Sequence, residues 1–513
     1  MAVAGLALLA RKIQIPYPIL FVIGGTVLGC IPCLPRIRLD PDLVFLLFLP
    51  PLLYPAALLT SWRDFRANLR PICMLAVRLV LLTTVVIAVV AHKLLGLPWA
   101  AAFVLGAIVS PPDAVAATAI TQRLRVPRHI VTILEGESLV NDASALVIYK
   151  FAVVAVLTGS FSLVMAGVQF VFASVAGILI GAAIGWIASL VHERLDDPPV
   201  QTTLSLLTPF AAYMAADQVG ASGVLSVVTA GLYLGWRSPK IIGSRTRFQI
   251  FPVWEMVVFI LNGLIFILIG LQLPQILENL SGQPLMQLIR AAALLNLVLI
   301  LVRIAWIFGA ERLPLLLSKK STKGSTVPNW RHTAIVAWTG MRGVDSMAAA
   351  MALPLTVSGG APFPGRDLIL FNTFAVILVT LVFQGLSLPL IIRWLGIVDD
   401  GVVAREELQA RIKAVRAALS RLEEFKGKSD DQSLGRIRVE FESRIRELES
   451  ELTPPVRSPE TGQGTSYQRL LADALLAERR TILQLRNERF INDEALRRIQ
   501  RDLDLVELRL NRG

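Results

Sequence analysis

Apolar runs of membrane-spanning length alternate with short polar turns over the first 395 or so residues, and this alternation sets the predicted elements. A helix needs about 20 largely apolar residues to cross the hydrocarbon core of a bilayer. Suitable runs fall at 15–33, 42–60, 70–91, 98–121, 130–157, 163–191, 200–216, 221–236, 250–272, 286–313, 331–354 and 367–395, and a shorter one occupies 1–10. The pattern predicts about thirteen spans. Beyond Gly396 the apolar runs give way to Arg, Glu, Leu and Ala with apolar residues three and four apart, over 402–452 and again over 466–512. That periodicity predicts two amphipathic helical segments joined by a flexible Pro- and Gly-containing loop at 453–464. The expected fold is an all-α polytopic membrane protein, with a membrane domain at 1–395 and a helical cytoplasmic tail at 396–513.

Two spans are interrupted. Val109-Ser-Pro-Pro-Asp-Ala-Val115 places two prolines in mid-span, which removes backbone donors and should break the helix beside Asp113. Trp338-Thr-Gly-Met-Arg-Gly-Val-Asp345 places two glycines and two charges in another. These are the fifth and twelfth spans. Two six-helix halves around a linking seventh span would put the breaks at corresponding positions, the pattern of an inverted-repeat transporter whose broken helices meet at an ion site.

Charge fixes the orientation. Loops on one side carry Arg11, Lys12, Arg63, Arg66, Arg70, Arg123, Arg125, Arg128 and others, roughly seventeen positive residues, against roughly four on the opposite side. The positive-inside rule then sets the N-terminus outside and the C-terminus in the cytoplasm of a cell-membrane protein. The net charge of +12 is carried mostly by the part up to Asp400, with about 28 basic and 18 acidic residues. A lipid explanation therefore precedes a nucleic-acid one, and no nucleic-acid signature is present. Cys30 and Cys33 form a CxxC with no second Cys or His pair, and read as small apolar residues closing a helix.

Candidate chemistry centres on Leu134-Glu-Gly-Glu-Ser-Leu-Val-Asn-Asp-Ala-Ser-Ala-Leu-Val-Ile-Tyr149, where three carboxylates and an amide lie inside an apolar helix. A charge at the bilayer centre costs roughly 3 kcal/mol on insertion scales, so an acid there is a functional candidate. Glu137 and Asn141 are four apart, as are Ser138 and Asp142, which puts all four on one face. Asp142 offers a hard anionic oxygen; Asn141, Ser138, Ser110 and carbonyls freed beside Asp113 offer neutral ones. Such oxygens suit Na+ or Li+, whereas a transition metal would want His or Cys. A carboxylate that holds either a proton or a cation suffices for exchange. Arg303, mid-span with no acid in helical reach before Glu311, calls for a distant carboxylate, and Glu137 is the best candidate. Arg78 and Lys150 lie nearer span ends and can reach the interface; Asp217 and Glu255 read as interfacial. The histidines His92, His129, His192 and His332 all fall in or near loops and predict no metal site. No Walker A sequence is present, 320–326 lacking its first glycine and its ending, and no enzymatic cofactor is called for.

Four stretches, Gly106-Ala-Ile-Val-Ser-Pro-Pro-Asp-Ala-Val115, Gly136-Glu-Ser-Leu-Val-Asn-Asp142, Leu261-Asn-Gly-Leu-Ile-Phe-Ile-Leu-Ile-Gly270, and Thr339-Gly-Met-Arg-Gly343 with Phe383-Gln-Gly-Leu-Ser-Leu388, resemble the monovalent cation:proton antiporter family of the sodium/proton exchanger type. The resemblance implies a thirteen-helix homodimer that works by elevator-like alternating access. By motif position it makes Asp142 the ion- and proton-binding carboxylate, with Na+ or Li+ as substrate. Asn141 is its neighbour in an arrangement associated with electroneutral exchange. Asp113 is the acid at the helix crossing beside Pro111 and Pro112, Glu137 and Arg303 are a buried structural ion pair, and Arg342 is a conformational or field-setting arginine. The chain departs from several relatives at Pro55, where they carry an acid, and at Pro112, where some carry a hydroxyl. A K+/H+ antiporter of the same fold is the main rival. A cation channel lacks a selectivity-filter repeat here, and an intramembrane aspartyl protease built on Asp113 and Asp142 would leave Asn141 and Arg303 without a role.

Overall fold

The computed structural model describes residues 2–13, 17–31, 41–113, 117–118, 120–121, 124, 126–159, 163–280, 282, 284–317, 330–357, 360–397, 401–424, 431–452, 478 and 481. The chain divides into two compact units, Met1–Asp400 and Gly401–Gly513.

The described residues of the first unit form helices with no β-strand among them. In chain order they are α1 (Ala2–Ile13), α2 (Tyr17–Gly29), α3 (Pro41–Leu59), α4 (Trp62–Ala67), α5 (Leu69–Leu95), α6 (Trp99–Val109), α7 (Arg128–Thr158), α8 (Leu163–Arg194), α9 (Pro198–Gln218), α10 (Gly223–Ile241), α11 (Ser244–Asn279), α12 (Leu285–Leu317), α13 (Trp330–Trp338), α14 (Val344–Met351) and α15 (Arg366–Trp394). Six of these runs, in α5, α7, α8, α11, α12 and α15, are long and apolar enough to cross a membrane by length and composition, and α2, α3 and α6 supply shorter apolar helices. On α8 the side chains of Val164, Val168, Phe172, Val175 and Leu179 are exposed, a surface suited to lipid or a protein partner rather than to water.

The interruptions fall where the prolines and glycines lie. Helix α6 stops at Val109, Ser110 to Asp113 are non-helical, and helix resumes at 117–118 and 120–121. On the other side α13 stops at Trp338, and 339–343 separate it from α14. Two further irregularities were not visible in the sequence: α5 contains a π-helical segment at Met74–Leu79 and α15 one at Thr380–Gln384, a feature often found at functional sites.

Helix α7 holds the candidate residues on one rigid rod. Its 31 residues make it about 46 Å long at 1.5 Å per residue. It starts after Pro127 and ends at Gly159, whose φ of 68° is a left-handed cap that a side chain would disfavour. Glu137, Asn141 and Asp142 are all buried. One tight crossing shows why the LNGLIFILIG stretch ends in glycine. A Cβ on Gly270 of α11 would lie 2.2 Å from the Val22 carbonyl oxygen of α2, so only glycine allows the two backbones to meet there.

The second unit corrects one expectation. The stretch 402–452 is two helices, α16 (Val402–Glu423) and α17 (Asp431–Leu452), with Ile412, Val415 and Leu448 buried against one another. Arg416 pairs with Glu449 at 2.6 Å across them, with both side chains exposed. The segment expected at 466–512 lies outside the described residues apart from 478 and 481, and Cys33 also lies outside them.

Candidate functional site

The two breaks touch. The backbone N–H of Asp113 donates to the Met341 carbonyl at 2.7 Å, which joins the first interruption to the second. Around this bond two of the broken helix ends meet a side chain of opposite sign, as the helix dipole favours. Arg342, fully buried, donates from Nε to the Val109 carbonyl (3.0 Å) and from Nη2 to the Ser110 carbonyl (3.2 Å), and so covers the negative C-terminal end of α6. Its Nη1 bonds the Gly340 carbonyl. Its backbone N–H donates to Thr380 Oγ1 at 3.0 Å, so the π turn of α15 anchors the same residue. At the N-terminal end of α14, the Asp113 carboxylate packs against Gly343, and Asp345 lies in the first turn.

That packing explains Gly343. A Cβ there would sit 1.6 Å from Asp113 Oδ2 and 2.5 Å from its Cγ. Gly343→Ala is expected to cost about 1–3 kcal/mol of stability as an overpacking change and to move Asp113 off the break. Thermal unfolding of purified protein, with transport measured alongside, checks this; wild-type values for both would show that the Asp113 contact is slack.

Helix α7 is tied into both breaks. Asn141 Nδ2 donates to the Pro112 carbonyl at 2.9 Å, so the amide braces the first interruption. One turn earlier Glu137 receives two hydrogen bonds from Arg303 of α12, Nη1 to Oε1 at 2.6 Å and Nη2 to Oε2 at 2.9 Å. Both side chains are about 2% exposed, so this is a bidentate pair inside the protein. Arg303 Nη2 also donates to the Val336 carbonyl of α13 at 3.0 Å, which links α7, α12 and the second broken helix through one guanidinium.

Asp142 is buried, and its Oδ2 receives no hydrogen bond from the described residues. It lines a cavity of about 10 Å³ with Ala107, Ile108, Pro111, Tyr149, Asp345 and neighbouring small apolar residues. That is close to the space one water molecule needs. The carboxyl of Asp345 faces that of Asp142 within hydrogen-bond reach, and its Oδ1 likewise has no donor.

The residues singled out in the sequence are thus distributed unevenly. Asp142 and Pro111 line the cavity, Asn141 and Arg342 brace the backbone around it, and Asp113 bridges the breaks. Ser138, Ser110 and Pro112 are not among the cavity-lining residues; Ser110 Oγ donates to the Ala107 carbonyl at 3.2 Å. Sequence reasoning passed over Asp345 as one charge in a kinked span. The signal was there in the second break, which carries an acid at the start of its second half-helix. Other contacts also join residues distant in sequence. Lys150 pairs with Asp217 at 3.1 Å, with both side chains exposed. His129 and His332 lie 3.2 Å apart between ring nitrogens. Among the described residues no group of three or more His, Cys, Asp or Glu could hold a metal ion.

The comparisons agree with this architecture. A family model for the sodium/hydrogen exchanger transmembrane domain matches residues 1–394. An uncharacterized Na+/H+ exchanger of Mycobacterium tuberculosis is 34% identical over 511 residues, covering 98% of this chain and 93% of that protein. A sodium, potassium, lithium and rubidium/H+ antiporter of Bacillus pumilus is 32% identical over 515 residues, covering 96% of this chain and 74% of that protein. Among solved structures, the sodium proton antiporter MjNhaP1 of Methanocaldococcus jannaschii superposes with a TM-score of 0.59 at 19% identity, over 77% of this chain and 97% of its own. The chain belongs to the sodium/hydrogen exchanger family, a family of transporters. It is a multi-pass membrane protein that shares the fold of MjNhaP1.

Proposed function

We propose that the chain is a secondary antiporter that exchanges Na+ or Li+ for a proton at Asp142. The observation that carries this reading is a buried carboxylate oxygen with no donor among the described residues, placed where two broken helices bond to each other. Such an oxygen is stabilised by either of two ligands, a proton or a small hard cation, and competition between them couples their movements. Asp113 and Ser138 are assigned supporting roles in the ion path. Pro111 and Pro112 keep the first helix open, Arg342 sets the field at the break, and the Glu137–Arg303 pair holds the scaffold. No cofactor enters the cycle, which the ion gradients drive.

Around the site we assign thirteen spans in two inverted six-helix halves, the N-terminus outside and the C-terminus cytoplasmic. Residues 1–395 form the exchanger domain and 396–513 a tail. A homodimer in the cell membrane working by elevator-like alternating access, serving pH homeostasis, completes the proposal. Since Asn141 is an amide, Asp142 alone of the pair exchanges a proton for the cation, and one-for-one electroneutral exchange is the expected stoichiometry. The relative from Bacillus pumilus, named for sodium, potassium, lithium and rubidium, supports K+ as an additional substrate.

Proton flux from a preset pH gradient in proteoliposomes, with Na+, Li+ and K+ added in turn and the membrane voltage clamped, tests the reading. The expected result is a response to Na+ and Li+ that does not move with voltage. A response that shifts with voltage would replace one-for-one coupling by an electrogenic ratio, a response to K+ alone would change the substrate, and no cation-coupled flux would overturn antiport.

A further inference from the structure

We propose that Asp345 is a second acidic ligand of the transported cation, which bridges Asp345 Oδ1 on α14 and Asp142 Oδ2 on α7. The proposal rests on Asp142 being the ion site and extends it across the seam between two helices. Both oxygens lack a donor among the described residues, and both residues line the same small cavity. Its other lining residues offer almost no polarity: Ala107, Ile108, Ala145 and Ala349 are apolar, and Tyr149 is the one neutral polar side chain.

The nearby arginines are engaged elsewhere. Arg342 is directed to the carbonyls of Val109, Ser110 and Gly340, and Arg303 to Glu137 and the Val336 carbonyl. No Lys or Arg lines the cavity. Two facing carboxylates with no basic partner repel unless a cation lies between them or one of them carries a proton that it shares with the other. A purely structural role for Asp345 is the alternative, because an acid in the first turn of a helix gains from the dipole. That gain is small beside what is lost when an ion leaves water for a site without compensation. Placement beside a second carboxyl makes the balance worse, so the geometry points to a shared positive ion, a proton in one state of the exchange cycle and the transported cation in the other. The cavity has room for about one water, which admits a small cation stripped of most of its hydration shell. Two carboxylates form a strong field, and a strong field favours the smaller ions.

The test uses the full-length protein in proteoliposomes, with thermal unfolding in detergent as a readout independent of transport. Asp345→Asn should raise the half-saturating Na+ and Li+ concentrations about tenfold or more. It should weaken Li+ more than K+ and reduce the thermal stabilisation given by Na+, while the melting temperature without cation stays level or rises as the repelling pair is removed. Asp345→Glu, which keeps the charge, should return Na+ dependence toward wild type. Wild-type half-saturation and wild-type cation stabilisation in both Asp345→Asn and Asp345→Val would overturn the bridge. Asp142→Asn in the same preparation separates the two readings. Exchange that survives there overturns the Asp142 site and the bridge with it; loss there beside unaltered Asp345 variants overturns the bridge alone.

Discussion

Asp142→Asn is expected to reduce cation-coupled proton flux to the level of protein-free vesicles while the protein stays inserted and folded. The substitution is nearly isosteric, and it removes a charge that the described residues leave without a donor. An amide neither releases a proton nor neutralises a cation, so both ligands lose their shared site at once. Burying an amide is also easier than burying a carboxylate, so the melting temperature should not fall. Retained cation-dependent flux in proteoliposomes would remove Asp142 from the mechanism.

The opposite signature belongs to Arg303→Ala. Truncation strands Glu137 in the interior and frees the Val336 carbonyl, both of which Arg303 now satisfies. Breaking a buried pair from one side costs about 3–5 kcal/mol, because a charge is left without compensation. A large fall in thermal stability and in the amount of folded protein should therefore precede any specific change in ion dependence. A double variant, Glu137→Gln with Arg303→Met, removes both charges and should recover much of the loss. Unfolding curves on the single and double variants decide it. Full stability in Arg303→Ala would show that the pair is not what holds α7 to α12.

The fold was legible because the membrane makes hydrophobic pattern decisive. Long apolar runs have few alternatives to helix when every backbone group must be satisfied internally. For the same reason charges inside those runs drew attention to Asp142, Glu137 and Arg303. An arginine with no acid in helical reach must find one elsewhere, and Arg303 does lie on Glu137. What the chain order hid were contacts between groups far apart in sequence that each had a sufficient local explanation. Asp345 reads as a kink residue until α14 is placed against α7, and Lys150 reads as a side chain reaching for the interface until Asp217 stands beside it. Thr380 gave no local sign either, because a π turn breaks no sequence rule and its hydroxyl matters only through the Arg342 backbone. In the tail, periodicity runs on through 402–452 and so conceals that α16 and α17 are separate helices, which shows once Ile412 and Leu448 are seen packed in one cluster.

The bond from Asp113 to Met341, with the bonds from Arg342 to Val109 and Ser110, also constrains how the chain is made. Val109, Ser110 and Asp113 leave the ribosome more than two hundred residues ahead of the groups that satisfy their backbone, whereas the Pro112 carbonyl meets Asn141 much sooner. In a bilayer their open carbonyls and N–H have no water to turn to. The first break therefore waits in an incomplete state during biosynthesis, and the N-terminal half is finished only when the last third of the membrane domain inserts beside it. Translation order makes the late arrival of 339–345 the step that closes the core.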